Sequence, residues 1–241
     1  SNIGPVPGKV KFCKFNDVSN LKKLVNKKTV AIIIEFVQGD GGINICSKNF
    51  AKAIKEICKN KKILLIGDEI QGGIGRTGKI FAYKHYGVNP DIITSAKGLG
   101  SGIPIGATIV KKYISKIIST GFHGSTFGGG MLQTRVSYNV FKTINTKRFL
   151  NKVLINGNLL SSLIKKMHLI HKDKIIDTRC LGLMAGVEFK NNQIALKTYE
   201  KMSKNGLIST LIQGNIIRLT PPLTVSSGEI RKAIKIITQS L

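Results

Sequence analysis

Three short apolar runs punctuate the first hundred residues, and each ends on charged side chains. "TVAIIIE" closes at Glu35, "KILLIGDE" at Asp68 and Glu69, and "DIITSAK" at Lys97. None alternates apolar with polar, the pattern expected of strands covered on both faces in a parallel sheet. Between the first two lies "NFAKAIKEICKN", where Phe50, Ala53, Ile54, Ile57 and Cys58 fall on one helical face. Strand, helix, strand over about thirty residues predicts a βαβ unit.

The pattern changes near residue 148. A helix is predicted over "FLNKVLINGNLLSSLIKKMHLI", followed by the strand-like run "LGLMAGVEF". "NQIALKTYEKMSKNG" reads as a helix ended by Gly206. "LISTLI" and "NIIRLT" flank Gln213 and Gly214 as a hairpin. Ser226 and Glu229 form a capping-box pattern for a closing helix with Ile230, Ile234, Ile237 and Leu241 on one face. The expected organisation is an α/β unit over 1–148 and a smaller α+β unit over 149–241.

Composition changes this picture little. The net charge of +26 invites a nucleic-acid reading, yet Lys outnumbers Arg by 32 to 6, lysines are spread along the whole chain, and aromatics are only 6%. A nucleic-acid surface more often clusters arginine and interleaves aromatics for stacking, so no nucleic-acid partner is expected. No apolar run approaches the roughly 18 residues of a membrane span. Cys13, Cys46, Cys58 and Cys180 are far apart and lack metal-ligand spacing, which points to free thiols in a reducing, cytoplasmic setting and to no metal.

The stretch "KILLIGDEIQGGIGRTGKIFAY" holds two phosphate-loop look-alikes. Gly73, Gly75 and Gly78 fit G-x-G-x-x-G, and Gly73, Gly78 and Lys79 fit most of G-x-x-x-x-G-K-[ST]. Chemistry argues against both. A dinucleotide loop needs its first glycine directly after the strand, but Asp68 and Glu69 come first and would repel a pyrophosphate. For the second pattern, Ile80 stands where a hydroxyl must hold magnesium. The glycines are expected to make a tight loop.

What remains is the charge at the strand ends. Ligands of open α/β sheets sit beyond the carboxyl ends of the strands, where Glu35, Asp68 and Lys97 are delivered together. A lysine amine there can attack a carbonyl, and a carboxylate can keep a pyridine nitrogen protonated. Lysine and aspartate around one pyridinium ring is the arrangement used for pyridoxal phosphate.

With these residues in view, the chain resembles the class III, fold-type I pyridoxal-phosphate aminotransferases, most closely the acetylornithine aminotransferases. "EFVQGDGG" is similar to that family's E-P-[IV]-Q-G-E-G-G, and "DEIQGGIGRTG" to D-E-V-Q-T-G-x-G-R-T-G. "FAYKHYGVNPDIITSAKGLGSGIPIGA", "HGSTFGG" and "GNIIRLTPPL" follow in the family's order. The resemblance implies an α/β fold: the C-terminal part of a large, mostly parallel-sheet domain plus a small α+β domain. It also implies transfer of an amino group between N-acetylornithine and 2-oxoglutarate in arginine biosynthesis, by a homodimer with shared active sites. "SGIPIGA" favours acetylornithine over ornithine, with succinyl-diaminopimelate as a further substrate.

The roles implied by the resemblance are specific. Lys97 matches the lysine that bonds to the cofactor and later shuttles a proton. Asp68 matches the partner of the pyridine nitrogen, with Glu69 beside it among the cofactor contacts. Ile70 matches an apolar floor, and Gln71 a contact to the phenolic oxygen. Thr126 matches a phosphate ligand reaching across the dimer interface, and Ser125 a substrate contact. Arg218 matches the clamp on the substrate carboxylate, with Glu35 lining the substrate side. Asp40 replaces the family's usual Glu, which pairs with that arginine when no carboxylate is bound, so the shorter side chain is expected to weaken the pairing. His85 and His123 are expected to be packing or surface residues. Phe36, Gly72 and Phe127 replace the family's usual Pro, Thr and Tyr. The opening "SNIGPVPGKV" reads as a connecting loop, and the resemblance implies a long N-terminal portion, absent here, with further cofactor and substrate contacts. Without it, an inactive fragment or a split-subunit partner is the alternative reading.

Overall fold

The computed structural model describes residues 9–241, so most of the expected opening loop lies outside the described residues. The chain begins with α1 (Val18–Leu24), β1 (Ala31–Ile34), β2 (Val37–Gln38), β3 (Asn44–Ile45) and α2 (Lys48–Lys61). It continues through β4 (Leu64–Asp68), β5 (Ile92–Ser95), β6 (Ala107–Val110), α3 (Lys112–Ser115) and α4 (Met131–Ile144). Then come α5 (Lys147–Ile170), β7 (Ile175–Leu181), β8 (Met184–Phe189), α6 (Asn192–Lys204), β9 (Thr210–Ile212), β10 (Ile216–Leu219) and α7 (Ser227–Ser240).

The first sheet has the order β1-β4-β5-β6. Its first three strands are parallel and β6 returns antiparallel. The predicted βαβ unit is therefore β1, α2 and β4. Ser47 caps α2 by accepting from the Phe50 amide at 3.1 Å. The helix buries Phe50, Ala53, Ile54 and Cys58 against Ile34, Phe36 and Leu65. In one respect the strands differ from expectation. Ile34 is buried, but Ile33 on the opposite face of β1 is 64% exposed. Helices cover one face of the sheet, and no described element covers Ile33 on the other.

The second sheet, ordered β7-β8-β10-β9, is antiparallel throughout. Its core gathers Val153, Leu160 and Ile164 of α5 with Val187, Phe189, Ile217 and Ile237. The expected strand "LGLMAGVEF" is β8 from Met184 on, and its first residues form the turn from β7, where Gly182 has φ +59. Gly182 and Gly157 of α5 approach so closely that a Cβ on Gly157 would lie 2.4 Å from the Gly182 carbonyl oxygen. The capping box of α7 is present: the Glu229 amide donates to Ser226 Oγ at 3.2 Å, and the Ser226 amide to Glu229 Oε2 at 2.7 Å.

The two sheets meet through small apolar clusters. Ile74, Ile80, Phe81 and Ile144 pack with Phe149 and Leu223, and Val37 and Ile43 pack with Met184. These contacts place the end of the first sheet against β8 and β10.

Candidate active site

Register brings the predicted charges together. Ile34 pairs with Gly67, and Asp68 with Thr94, so Glu35 and Asp68 leave neighbouring strand ends on the same edge. Lys97 follows three residues past Thr94. Its backbone has φ +46, in the left-handed region that non-glycine residues occupy at a cost. Burial raises the Glu35 pKa; the Gly39 amide opposes that shift, Asp68 and Asp40 reinforce it, and Lys97 lowers it. Asp40, Asp68 and Lys97 thus each lie within electrostatic reach of Glu35, and Lys97 within reach of Asp40. Asp68 also accepts from the Ile70 amide at 3.0 Å, which fixes its carboxylate beside the first turn of the loop.

The loop after Asp68 is closed on itself. Gly73 donates to the Glu69 carbonyl at 3.0 Å, Gly75 to Ile80 at 3.3 Å and Gly78 to Gly75 at 2.9 Å. The amides of Gly73, Gly75 and Gly78 are thus spent internally, as a tight loop requires, and are not presented as a phosphate cradle. Glu69 departs from its expected place among the cofactor contacts. It is fully buried and accepts from the Ala82 and Tyr83 amides at 2.8 Å each. Desolvation raises its pKa to about 7 despite those two bonds. Its role is to fold the loop. His85, as expected, is a packing residue, 3.0 Å from the Thr77 carbonyl, and His123 is exposed.

Across the loop lies a cleft of about 720 Å³, lined by Ile70, Gln71, Ile74, Arg76, Lys97 and Arg218, among others. Arg218 comes from β10, opposite Gly186 of β8. Its Nη1 lies 2.6 Å from Asp40 Oδ1 and 3.3 Å from Gln71 Oε1, and Gln71 Nε2 donates to Asp40 Oδ2 at 3.1 Å. The three side chains close a triangle at the cleft wall. The hydrogen bond from Arg218 is the main cause that lowers the Asp40 pKa. The shorter aspartate therefore reaches the arginine after all. Gln71, assigned by resemblance to a ring oxygen, has its amide turned to Asp40 and Arg218.

Ser125 and Thr126 are not brought into this cleft. They lie in an exposed segment with Phe127, 85% exposed, and Met131, 90% exposed. Two other residues were missed by sequence reasoning. Arg76 donates to the carbonyls of Leu183 and Pro221, and the Leu183 amide returns a bond to the Arg76 carbonyl at 3.0 Å. Burial pulls the Arg76 pKa down to about 10. Arg179 pairs with Glu188 and donates to Asn44 Oδ1 at 2.7 Å, holding the start of β3 against the second sheet. Arg76 sits inside the quoted G-R-T-G motif and could have been suspected; nothing in the sequence marked Arg179.

The donor set suits a pyridine aldehyde. A primary amine and a carboxylate stand at adjacent strand ends, Ile70 and Ile74 supply apolar surface, and the buried Thr94 hydroxyl, paired in register with Asp68, has no protein partner. Lys97, just past a strand of the mixed sheet, and Arg218, on a strand of the antiparallel sheet, line one cleft, with Asp68 and Glu35 at the neighbouring strand ends outside its lining. The sequence pattern of the class-III aminotransferases matches residues 2–241, and the chain belongs to that family. It is 39% identical over 239 residues to the acetylornithine aminotransferase of Methanocaldococcus jannaschii, covering 98% of this chain and 58% of that protein. Identity is 38% to ornithine aminotransferase 1 of Staphylococcus saprophyticus, over 99% of this chain and 60% of that protein. Among solved structures, it superposes with a TM-score of 0.93 on the ornithine aminotransferase of Toxoplasma gondii, a structure described with partial occupancy of PLP at its active site. There the identity is 29%, over 99% of this chain and 57% of that one. The chain thus spans about three fifths of the length of the relatives it matches.

Proposed function

We propose that this chain contributes the lysine, the ring-nitrogen carboxylate and the substrate-carboxylate arginine of a pyridoxal-phosphate aminotransferase. Its substrates are N-acetylornithine and 2-oxoglutarate, which places it in arginine biosynthesis. One observation carries the reading: Lys97 and Arg218, from different sheets, line the same cleft. When bound, pyridoxal phosphate supplies a carbonyl carbon for amine capture and a cationic ring that accepts an electron pair.

The chain's own residues do the rest. Lys97 Nζ would bond the cofactor's carbonyl carbon and, as a free amine, would move a proton to or from the carbon that carries the substrate's reacting amine. Asp68 would stand by the ring nitrogen and hold its proton by charge. Ile70 gives one ring face an apolar floor and excludes water there. Arg218, with a planar fork of donors, orients the substrate carboxylate. Glu35 and Gln71 line the substrate side. Because donor and acceptor are handled in turn, acetylornithine would give up its amino group in one half and 2-oxoglutarate would leave as glutamate in the other, where Arg218 would orient the carboxylate next to the reacting carbon.

Thr126 belongs to the proposal as a group offered to a second copy's cofactor phosphate, and Ser125 beside it as a substrate contact. The exposed Phe122, Phe127, Met131 and Leu132 around them suit a homodimer interface. The separate cores support a division into 1–148 and 149–241. Among the described residues no helix is long and apolar enough to cross a membrane, and all four cysteines are free thiols, which suits the cytoplasm. The name of the M. jannaschii relative favours acetylornithine, and that of the S. saprophyticus relative keeps ornithine as the alternative.

The test is to mix the protein with pyridoxal phosphate, reduce with borohydride and map the adduct by mass spectrometry. The adduct is expected on Lys97 and absent from Lys97→Ala. Labelling spread over surface lysines, unchanged in Lys97→Ala, would reject the assignment. Acetylornithine and ornithine are then compared as amino donors.

A further inference from the structure

We propose that Gln213 is a positioning residue. It holds the Asp40 carboxylate on Arg218, and so sets how readily that arginine accepts the carboxylate of an amino or 2-oxo acid. The proposal rests on the reading of Arg218 as the carboxylate clamp.

Aspartate is one methylene shorter than the glutamate that the family pattern carries at this position, yet Asp40 Oδ1 sits 2.6 Å from Arg218 Nη1. Something must bring the Asp40 backbone nearer. Asp40 lies between β2 and β3, on a loop that reaches across to the second sheet. Gln213 Nε2 donates to the Asp40 carbonyl oxygen at 2.7 Å. Gln213 stands at the tip of the β9–β10 hairpin, and Arg218 lies on the same hairpin in β10. One rigid element therefore grips the loop twice, at the Asp40 backbone through Gln213 and at its carboxylate through Arg218.

Two further observations agree. The Asp40 side chain is 76% exposed, so burial does not hold the ion pair and its strength depends on how well the geometry is maintained. Gln213 has φ +52, a backbone conformation that glycine adopts at lower cost. A glycine there would turn the chain as well, but it would supply no donor for the Asp40 carbonyl.

A ligand carboxylate that binds Arg218 must displace Asp40. Loosening the backbone tether lowers the effective concentration of that internal competitor, so ligand carboxylates bind more tightly. A neutral hydrogen bond corresponds to a factor of about two to ten in such an equilibrium.

The experiment measures glutarate binding by calorimetry on the protein in its native assembly. Gln213→Leu is expected to tighten binding by about two- to tenfold. Gln213→Gly, which suits the positive φ, should show the same gain if Gln213→Leu folds poorly. Asp40→Asn should tighten binding at least as much, and adding Gln213→Leu to it should yield no further gain. Asp40→Glu placed in Gln213→Leu should restore the weaker affinity, because the longer side chain needs no tether. Unchanged or weaker binding in both Gln213 variants overturns the proposal, as does an equal gain in the Asp40→Asn background. If Arg218→Ala leaves glutarate affinity unaltered, it is the clamp reading that fails, whatever Gln213 does.

Discussion

Two glycine-rich segments stand in contrast, one lining the cleft and one exposed away from it. In "IQGGIGRTGK" the glycines are demanded by packing: a Cβ on Gly73 would lie 2.5 Å from the Glu69 carbonyl oxygen, and one on Gly78 would lie 2.3 Å from Leu154. In "TGFHGSTFGGGM" a Cβ on Gly121, Gly124 or Gly129 would meet nothing within 4 Å. The first segment spends its amides and its buried carboxylate inside the fold. The second turns Ser125, Thr126 and Phe127 outward. The first segment is therefore self-contained, and the second is exposed.

The sharpest way to break this comparison is Glu69→Ala. It strands two buried amide donors, and the unfolding free energy should fall by about 2–5 kcal/mol in urea titrations. A loss under about 0.5 kcal/mol would show that the loop does not depend on Glu69.

A smaller effect is expected where the loop meets the second sheet. Gly157→Ala would ordinarily strengthen a helix, but here the added Cβ strikes the Gly182 backbone. A loss of about 1–3 kcal/mol is predicted. A gain, read in the same titrations, would contradict the close approach.

Glu69 also carries a pH signature. Its folded pKa, about 7, lies above the unfolded value of 4.5, so the folded state binds more protons between them. Its contribution is fully present below 4.5 and is lost as pH rises through about 7. Relative to Glu69→Gln, wild-type stability should drop by ~1–3 kcal/mol from pH 5 to pH 7. A flat difference would mean that Glu69 is charged throughout.

The smallest stability effect belongs to the exposed segment. Phe127→Ser should change unfolding by about 0.5 kcal/mol or less. It should nevertheless weaken self-association in sedimentation measurements. A loss as large as that of Glu69→Ala would show that the segment is part of the core.

Much of the fold was legible because it is written in local periodicity. The spacing of Phe50, Ala53, Ile54 and Cys58 predicted the buried face of α2, and Ser226 with Glu229 predicted the cap of α7. Strand β7 was not legible: Ile175 is buried while Ile176 and Asp177 are exposed, and a bulge between Ile175 and Asp177 breaks the alternation. Helix α4 escaped notice because it buries only Ser137 and Ile144, too few positions for an apolar stripe.

The sequence by itself determined the sheet-edge charges and the family, since a strand end and a dense motif are local along the chain. Only the tertiary structure decided which groups face the cleft. It turned Glu69 inward to the Ala82 and Tyr83 amides, and it drew Asp40, Gln71 and Arg218 into one triangle. The reason is that burial and ion pairing depend on which segments meet in space. Asp40 and Arg218 are 178 residues apart, so no periodicity specifies their contact; the family motif suggested the pair, and the structure supplied its geometry and its third member, Gln71.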